Sequence, residues 1–183
     1  MKNKILVNIT CSSCGKKHTE WPALAYDAPF HYNELAGEEK DTIAELTTDF
    51  CVIKHPDQTD FFIRGTLIQK VIDHCEDLHY GLWVSLSEKS FKDYKENFKN
   101  DHEAEYFGWL CNDIPQYVFN ESIPTTVVTQ PGGNRPEIFP HQDFDHPFVK
   151  DYYNGITKAE AERRIEAMIK AVRKTKPWWK VWL

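Results

Sequence analysis

Residues 50–87 constrain the chain more than any other part. "FCVIKHPDQTDFFIRGTLIQKVI" holds two apolar, β-branched and aromatic runs on either side of Pro56-Asp57-Gln58, the composition of two strands joined by a polar loop. Soon after, "YGLWVSLS" alternates Leu82, Val84 and Leu86 against Trp83, Ser85 and Ser87, which is the period of a half-buried strand. Further on, "TTVVTQ" and "RPEIF" flank Pro131-Gly132-Gly133-Asn134, a turn by composition, and "EYFGWLC" is short and aromatic. The Gly pair lacks the Lys-Ser/Thr continuation of a phosphate loop, so it gives no case for nucleotide binding.

Few helices interrupt these runs. Ser87 can cap a helix through "EKSFKDYKENF", in which Phe91, Tyr94 and Phe98 share one face. Thr157-Lys158-Ala159-Glu160 has the form of a capping box. It opens a helix with an Ile165, Met168, Ile169, Val172 stripe that Pro177 ends. "EWPALAYDAPFHYNEL", broken by Pro22 and Pro29, reads as an extended packing loop, and "GEEKDTIAELTTD" as one or two polar helical turns. The expected fold is α+β: a mainly antiparallel sheet with a few helices packed on one face, an N-terminal zinc-knuckle-like turn and a C-terminal amphipathic helix. Residues 1–174 form a single domain on this reading, with the knuckle at 11–18, and 175–183 a Trp-rich tail.

The one stretch with specific chemistry is "CSSCGKKH". Cys11 and Cys14 put two thiolates on a tight turn that Gly15 permits, and His18 follows closely enough to reach the same ion. That is the grammar of zinc, which takes four such ligands in structural sites. Cys51 is the first choice for a fourth ligand and His146 the second; against them, free Cys is usually a small buried hydrophobe. A redox role would need a helix after the pair, where a Pro-broken loop follows instead. The cysteine count of five is odd, which argues against a disulfide framework. "MKNKILVNITC" is too short and too polar in its apolar part for a secretory signal, which predicts a cytoplasmic protein.

An open fourth metal position would instead be catalytic grammar. It draws attention to "HQDFDHP", where His141, Asp143, Asp145 and His146 lie close together and could hold a metal for hydrolysis. The spacing departs from that of binuclear metallohydrolases, because Asp143 stands where a second His belongs. Arg64, the lone charge in "FFIRG", needs a partner. A structural salt bridge is preferred to an anion pocket.

Taken in order, "CSSCGKKH", "DFCVIKH…DFFIRG", "GLWVSLS", "YFGWL", "DHPF" and "NGIT" resemble the bacterial family catalogued as domain of unknown function 2199, over roughly residues 10 to 160. The resemblance implies a compact bacterial domain and carries no catalytic residues. It pairs the Cys-x-x-Cys-Gly-x-x-His motif with a Cys ahead of "FFIRG", matched by Cys11, Cys14, His18 and Cys51. It also implies the triplet Asp145, His146, Pro147. "FPHQDF" departs from the family's pattern, so the His141 cluster is individual to this chain.

The formal charge of −6 opposes nucleic-acid binding and suits a basic protein partner. The tail, with Trp178, Trp179, Val181, Trp182 and Leu183, folds back as a plug, binds a protein or lies on a membrane surface. The functional expectation is a non-enzymatic, inhibitor- or immunity-like interaction module with a structural zinc. The alternative is a metal-dependent hydrolase using the knuckle metal or His141, Asp145 and His146.

Overall fold

The structure, a computed structural model, describes residues 8–10, 17–19 and 21–175. Cys11 and Cys14, the side chain of His18, and all of the tail 175–183 beyond residue 175 lie outside the described residues. A hairpin of β1 (Asn8–Thr10) and β2 (Lys17–Thr19), paired Ile9 to His18, stands apart from the main sheet.

The next elements are β3 (Leu24–Ala25), α1 (Phe30–Glu34), α2 (Gly37–Thr42), β4 (Ala44–Leu46), β5 (Phe50–Lys54), β6 (Thr59–Gln69) and β7 (Leu78–Leu86). After α3 (Glu88–Asn97) come β8 (Glu105–Leu110), β9 (Pro124–Val128), β10 (Glu137–Pro140), α4 (Pro147–Asn154) and α5 (Lys158–Thr175). "EWPALAYDAPFHYNEL" is therefore not all loop, since it contains β3 and α1.

The eight-strand sheet runs β3-β7-β8-β9-β10-β6-β5-β4, and β6 also pairs with β7. Strands β6 to β10 thus close into a small barrel, with β3 added beside β7 and β5-β4 beside β6. This corrects the expectation of a sheet covered by helices on one face: curvature brings β10 back to β6. The seam is short and parallel, Glu137 opposite Thr66, and Thr66 N–H donates to Pro136 O at 2.8 Å. Gly65 makes the seam feasible, because a Cβ there would stand 2.8 Å from Ile138 Cδ1.

Alternate residues fill the barrel, among them Ile63, Leu67, Leu82, Val84, Val127 and Ile138, all fully buried. Helix α3, capped by Ser87 accepting from Ser90 N–H, adds Phe91 and Tyr94 to this core. The other faces of β6 and β7 are buried too. There Phe62 and Trp83 join Cys51, Ile53 and Cys111 in a second cluster, covered by Tyr26, Tyr32, Leu35 and Ile43. The Asn112 amide ties that cover down, accepting from Trp83 N–H at 2.7 Å and donating to Ala28 O at 3.0 Å.

At the start of α5 the Thr157 hydroxyl accepts from Glu160 N–H at 3.2 Å, the first half of a capping box. The Glu160 carboxylate turns instead to Arg163 and Arg164, and Asp73 takes the Lys158 N–H.

Candidate functional site

Strands β8, β9 and β10 turn one set of side chains into the barrel and the other to solvent. Their register places Glu105, Val128 and Glu137 in one outward row, and Phe107, Thr126 and Phe139 in the next. Trp109 lies opposite Pro124, whose carbonyl accepts from His141 N–H at 2.9 Å. Phe107 is 52% and Trp109 44% exposed, and their rings meet edge to face at 5.1 Å. The His141 ring packs 5.7 Å from that of Phe107, and its Nε2 is 3.1 Å from Thr126 Oγ1. Buried aromatics would be ordinary; two standing exposed on adjacent outward positions of one strand form an apolar centre beside a pair of carboxylates.

The residues proposed for hydrolysis do not converge. His146 caps α4: its Nδ1 accepts from Phe148 N–H at 3.1 Å, and its Nε2 donates to Val118 O at 3.0 Å. An amide can only donate and a carbonyl only accept, so both ring nitrogens are committed and the tautomer is fixed. Asp145 points to solvent and pairs with Lys150 at 2.6 Å, whereas His141 belongs to the outer face. Among the described residues no group of three or more His, Cys, Asp or Glu could hold a metal.

Cys51 is fully buried beside Ile53, Phe62 and Trp83, and burial pushes its thiol up to about 12. Cys111, also buried, is pushed up to about 11. Thiols so shifted are weak nucleophiles at neutral pH.

A charged network at the junction of α4, α5 and the barrel carried no obvious mark in the sequence. Arg164, with its side chain 1% exposed, donates from Nε to Glu160 Oε1 at 2.8 Å, from Nη1 to Tyr80 Oη at 3.3 Å, and from Nη2 to Asp151 Oδ2 at 2.9 Å. Its Nη2 also donates to the Tyr117 hydroxyl, which in turn donates to Asp151 Oδ2, and the guanidinium lies 5.0 Å from the centre of the Tyr117 ring. Burial, reinforced by the bond to Asp151, pushes the Tyr117 phenol well above its ordinary value; burial also raises that of Tyr80.

Beside the network opens a cleft of about 410 Å³ bordered by Gln116, Tyr117, Asp151, Gly155 and Glu160. Gln116 and Gly155 both have positive φ, 83° and 78°. The available signal was Arg164's own position: it shares a helix face with Ala161 and Met168, where an apolar residue is expected.

Comparison with known families matches residues 10–156 to the family described as an uncharacterised protein conserved in bacteria (DUF2199). The chain belongs to that family. Neither the curated proteins nor the solved structures contain a match to the chain. Among the described residues, no helix is long and apolar enough to cross a membrane.

Proposed function

We propose that the protein is a binding module that docks a basic protein through the outer face of β8, β9 and β10, in the manner of an inhibitor or immunity partner. The observation that carries this is the exposed Phe107–Trp109 pair, flanked by Glu105 and Glu137. Aromatic side chains at the centre of a patch supply most of the energy of a typical interface. The two carboxylates and the net charge of −6 favour a partner with Lys and Arg around an apolar anchor.

A photo-crosslinking residue at position 107 tests the reading, with the same residue at exposed His79 as control. A protein captured at 107 but not at 79 is then purified and its association measured directly. Support requires association that slows with added salt and is lost in Phe107→Ala/Trp109→Ala. Capture at both positions, or binding that the double variant keeps, rejects the reading.

The zinc staple on Cys11, Cys14, His18 and Cys51 belongs to the same proposal. The apolar surroundings of Cys51 work against its ionisation, so the staple rests first on Cys11, Cys14 and His18. Elemental analysis of wild type and Cys51→Ser decides the ligand set. One zinc in both leaves three chain ligands, zinc lost only in the variant closes the set with Cys51, and zinc in neither removes the staple.

A further inference from the structure

The rings of Trp21 and His74 pack with their centroids 4.5 Å apart and their planes inclined at 43°. Trp21 follows His18 by three residues, which span at most about 10 Å when fully extended. His74 belongs to the loop of residues 70–77 between β6 and β7. The sheet register agrees with this contact. β3 runs parallel to β7, with Leu24 opposite Tyr80 and Ala25 opposite Gly81, so the chain leading into β3 passes beside the chain leading into β7. The same offset carried back sets Trp21 level with Asp77, and the ring contact takes the approach further along the loop, to His74. Across the N-terminal hairpin Thr10 stands opposite Lys17, and Cys11 is the next residue.

The 70–77 loop is itself held in place. Ile72 N–H donates to Ile156 O and Ile156 N–H to Lys70 O, both at 2.9 Å. Asp77 Oδ1 accepts from Val71 N–H at 2.9 Å, and Asp73 takes the Lys158 N–H. A fixed backbone therefore presents His74 and the half-buried Cys75. Between Val71 and His79 the chain carries Asp73, Glu76 and Asp77 and neither Lys nor Arg, surroundings that attract a cation. Cys51 is placed otherwise. It lies opposite Phe62, and the stretch of β6 from Phe62 to Gln69, roughly 20 Å long, separates that position from the loop.

We propose that Cys75 is the closing ligand of a zinc site with Cys11, Cys14 and His18, tying the N-terminal hairpin to the β6–β7 loop. The assignment rests on the proposed zinc staple and gives Cys75 the fourth place, which the fully buried Cys51 is ill suited to fill. Three thiolates and one imidazole make a closed structural set, with no position left for a reactive water. The thiols lose their protons to solvent as they bind, so affinity falls in acid. His74, packed on Trp21, positions the loop and does not bind the ion.

The test compares zinc content and affinity of the full-length wild type, Cys75→Ser, Cys11→Ser and His74→Ala, purified under reducing, chelator-free conditions. X-ray absorption at the zinc edge counts the ligands in the wild type. One zinc per chain is expected, surrounded by three sulfurs at about 2.3 Å and one nitrogen at about 2.0–2.1 Å. Cys75→Ser and Cys11→Ser are each expected to bind zinc more than ~100-fold more weakly, beyond what loss of a supporting contact costs, and His74→Ala to stay within that limit. Loss of a staple can unfold a variant, so the wild type supplies a second readout. Iodoacetamide is expected to leave Cys75 unmodified until a strong chelator is added, and then to label it together with Cys11. Wild-type affinity in Cys75→Ser, two sulfurs at the metal, or equal labelling of Cys75 with and without chelator overturns the assignment; zinc lost in Cys11→Ser then still supports the knuckle. A wild type without zinc removes the staple itself, and this inference with it.

Discussion

Arg164 Nη2 lies 2.9 Å from Asp151 Oδ2, so a fully buried cation on α5 is held by a carboxylate of α4 that is itself 43% exposed. The second counter-charge, Glu160, comes from Arg164's own helix one turn earlier. Removing either carboxylate leaves the other, and solvent screens part of the loss. Removing both, as Asp151→Asn/Glu160→Gln, strands the guanidinium in the core. The double variant is expected to lose about 3–5 kcal/mol, more than the sum of the single losses. Urea denaturation of the four proteins in the cycle measures this; additive single losses would show that Arg164 is held by packing and the two tyrosines alone.

The same network gives the protein an acid-sensitive element. Burial raises the Glu160 carboxyl, but hydrogen bonds from Arg163 and Arg164 outweigh it and leave the group below its ordinary value of 4.5. A depressed folded value means stability that is present above 4.5 and disappears as pH falls through the folded value. Glu160→Gln is therefore expected to be less stable than wild type at neutral pH, with the gap narrowing in acid. Thermal melts from pH 7 downward read the gap; a constant difference would mean the carboxylate acts by shape and not by charge.

Gly155 ends α4 with φ 78° and ψ 162°, a region open to glycine and hardly to any other residue. A Cβ there would also fall 2.5 Å from Ile72 Cγ2. Gly155→Ala combines strain and clash, and adding Ile72→Ala removes only the clash, since Ile72 is largely exposed. The double variant is expected to remain about 1–3 kcal/mol less stable than Ile72→Ala alone. Full recovery would place the cost in the contact rather than the backbone.

Much of this architecture is legible in the chain because it is local. The β5–β6 hairpin, the alternation of β7 and the Ser87 cap each follow from residues within a few positions of one another. Barrel closure is not local: it joins Thr66 to Glu137 through one parallel pair, with no repeating pattern at either end. "YGLWVSLS" predicts one buried face, yet Trp83 is as buried as Leu82 because residues 26–43 fold over the outside of β7. The outer aromatic face was hidden for a similar reason. "EYFGWL" gives the alternation, but only the pairings with Thr126 and Pro124 show that Phe107 and Trp109 turn outward. For His141, Asp145 and His146, closeness in sequence misled, since a turn and the start of α4 send the three side chains in different directions.

The buried thiols separate the two readings of Cys51. Burial pushes Cys51 to about 12 and Cys111 to about 11, so at pH 7.5 both stay protonated as well as shielded. Site-resolved mass spectrometry after iodoacetamide treatment of the native protein is expected to find both unmodified, and to find both labelled once urea unfolds the chain. Protection by packing alone is indifferent to metal, so a strong chelator should leave Cys51 as unreactive as before. A thiolate released from zinc would instead become reactive when the chelator is added while Cys111 stayed protected. That outcome would make Cys51 the closing ligand of the Cys11, Cys14 and His18 staple.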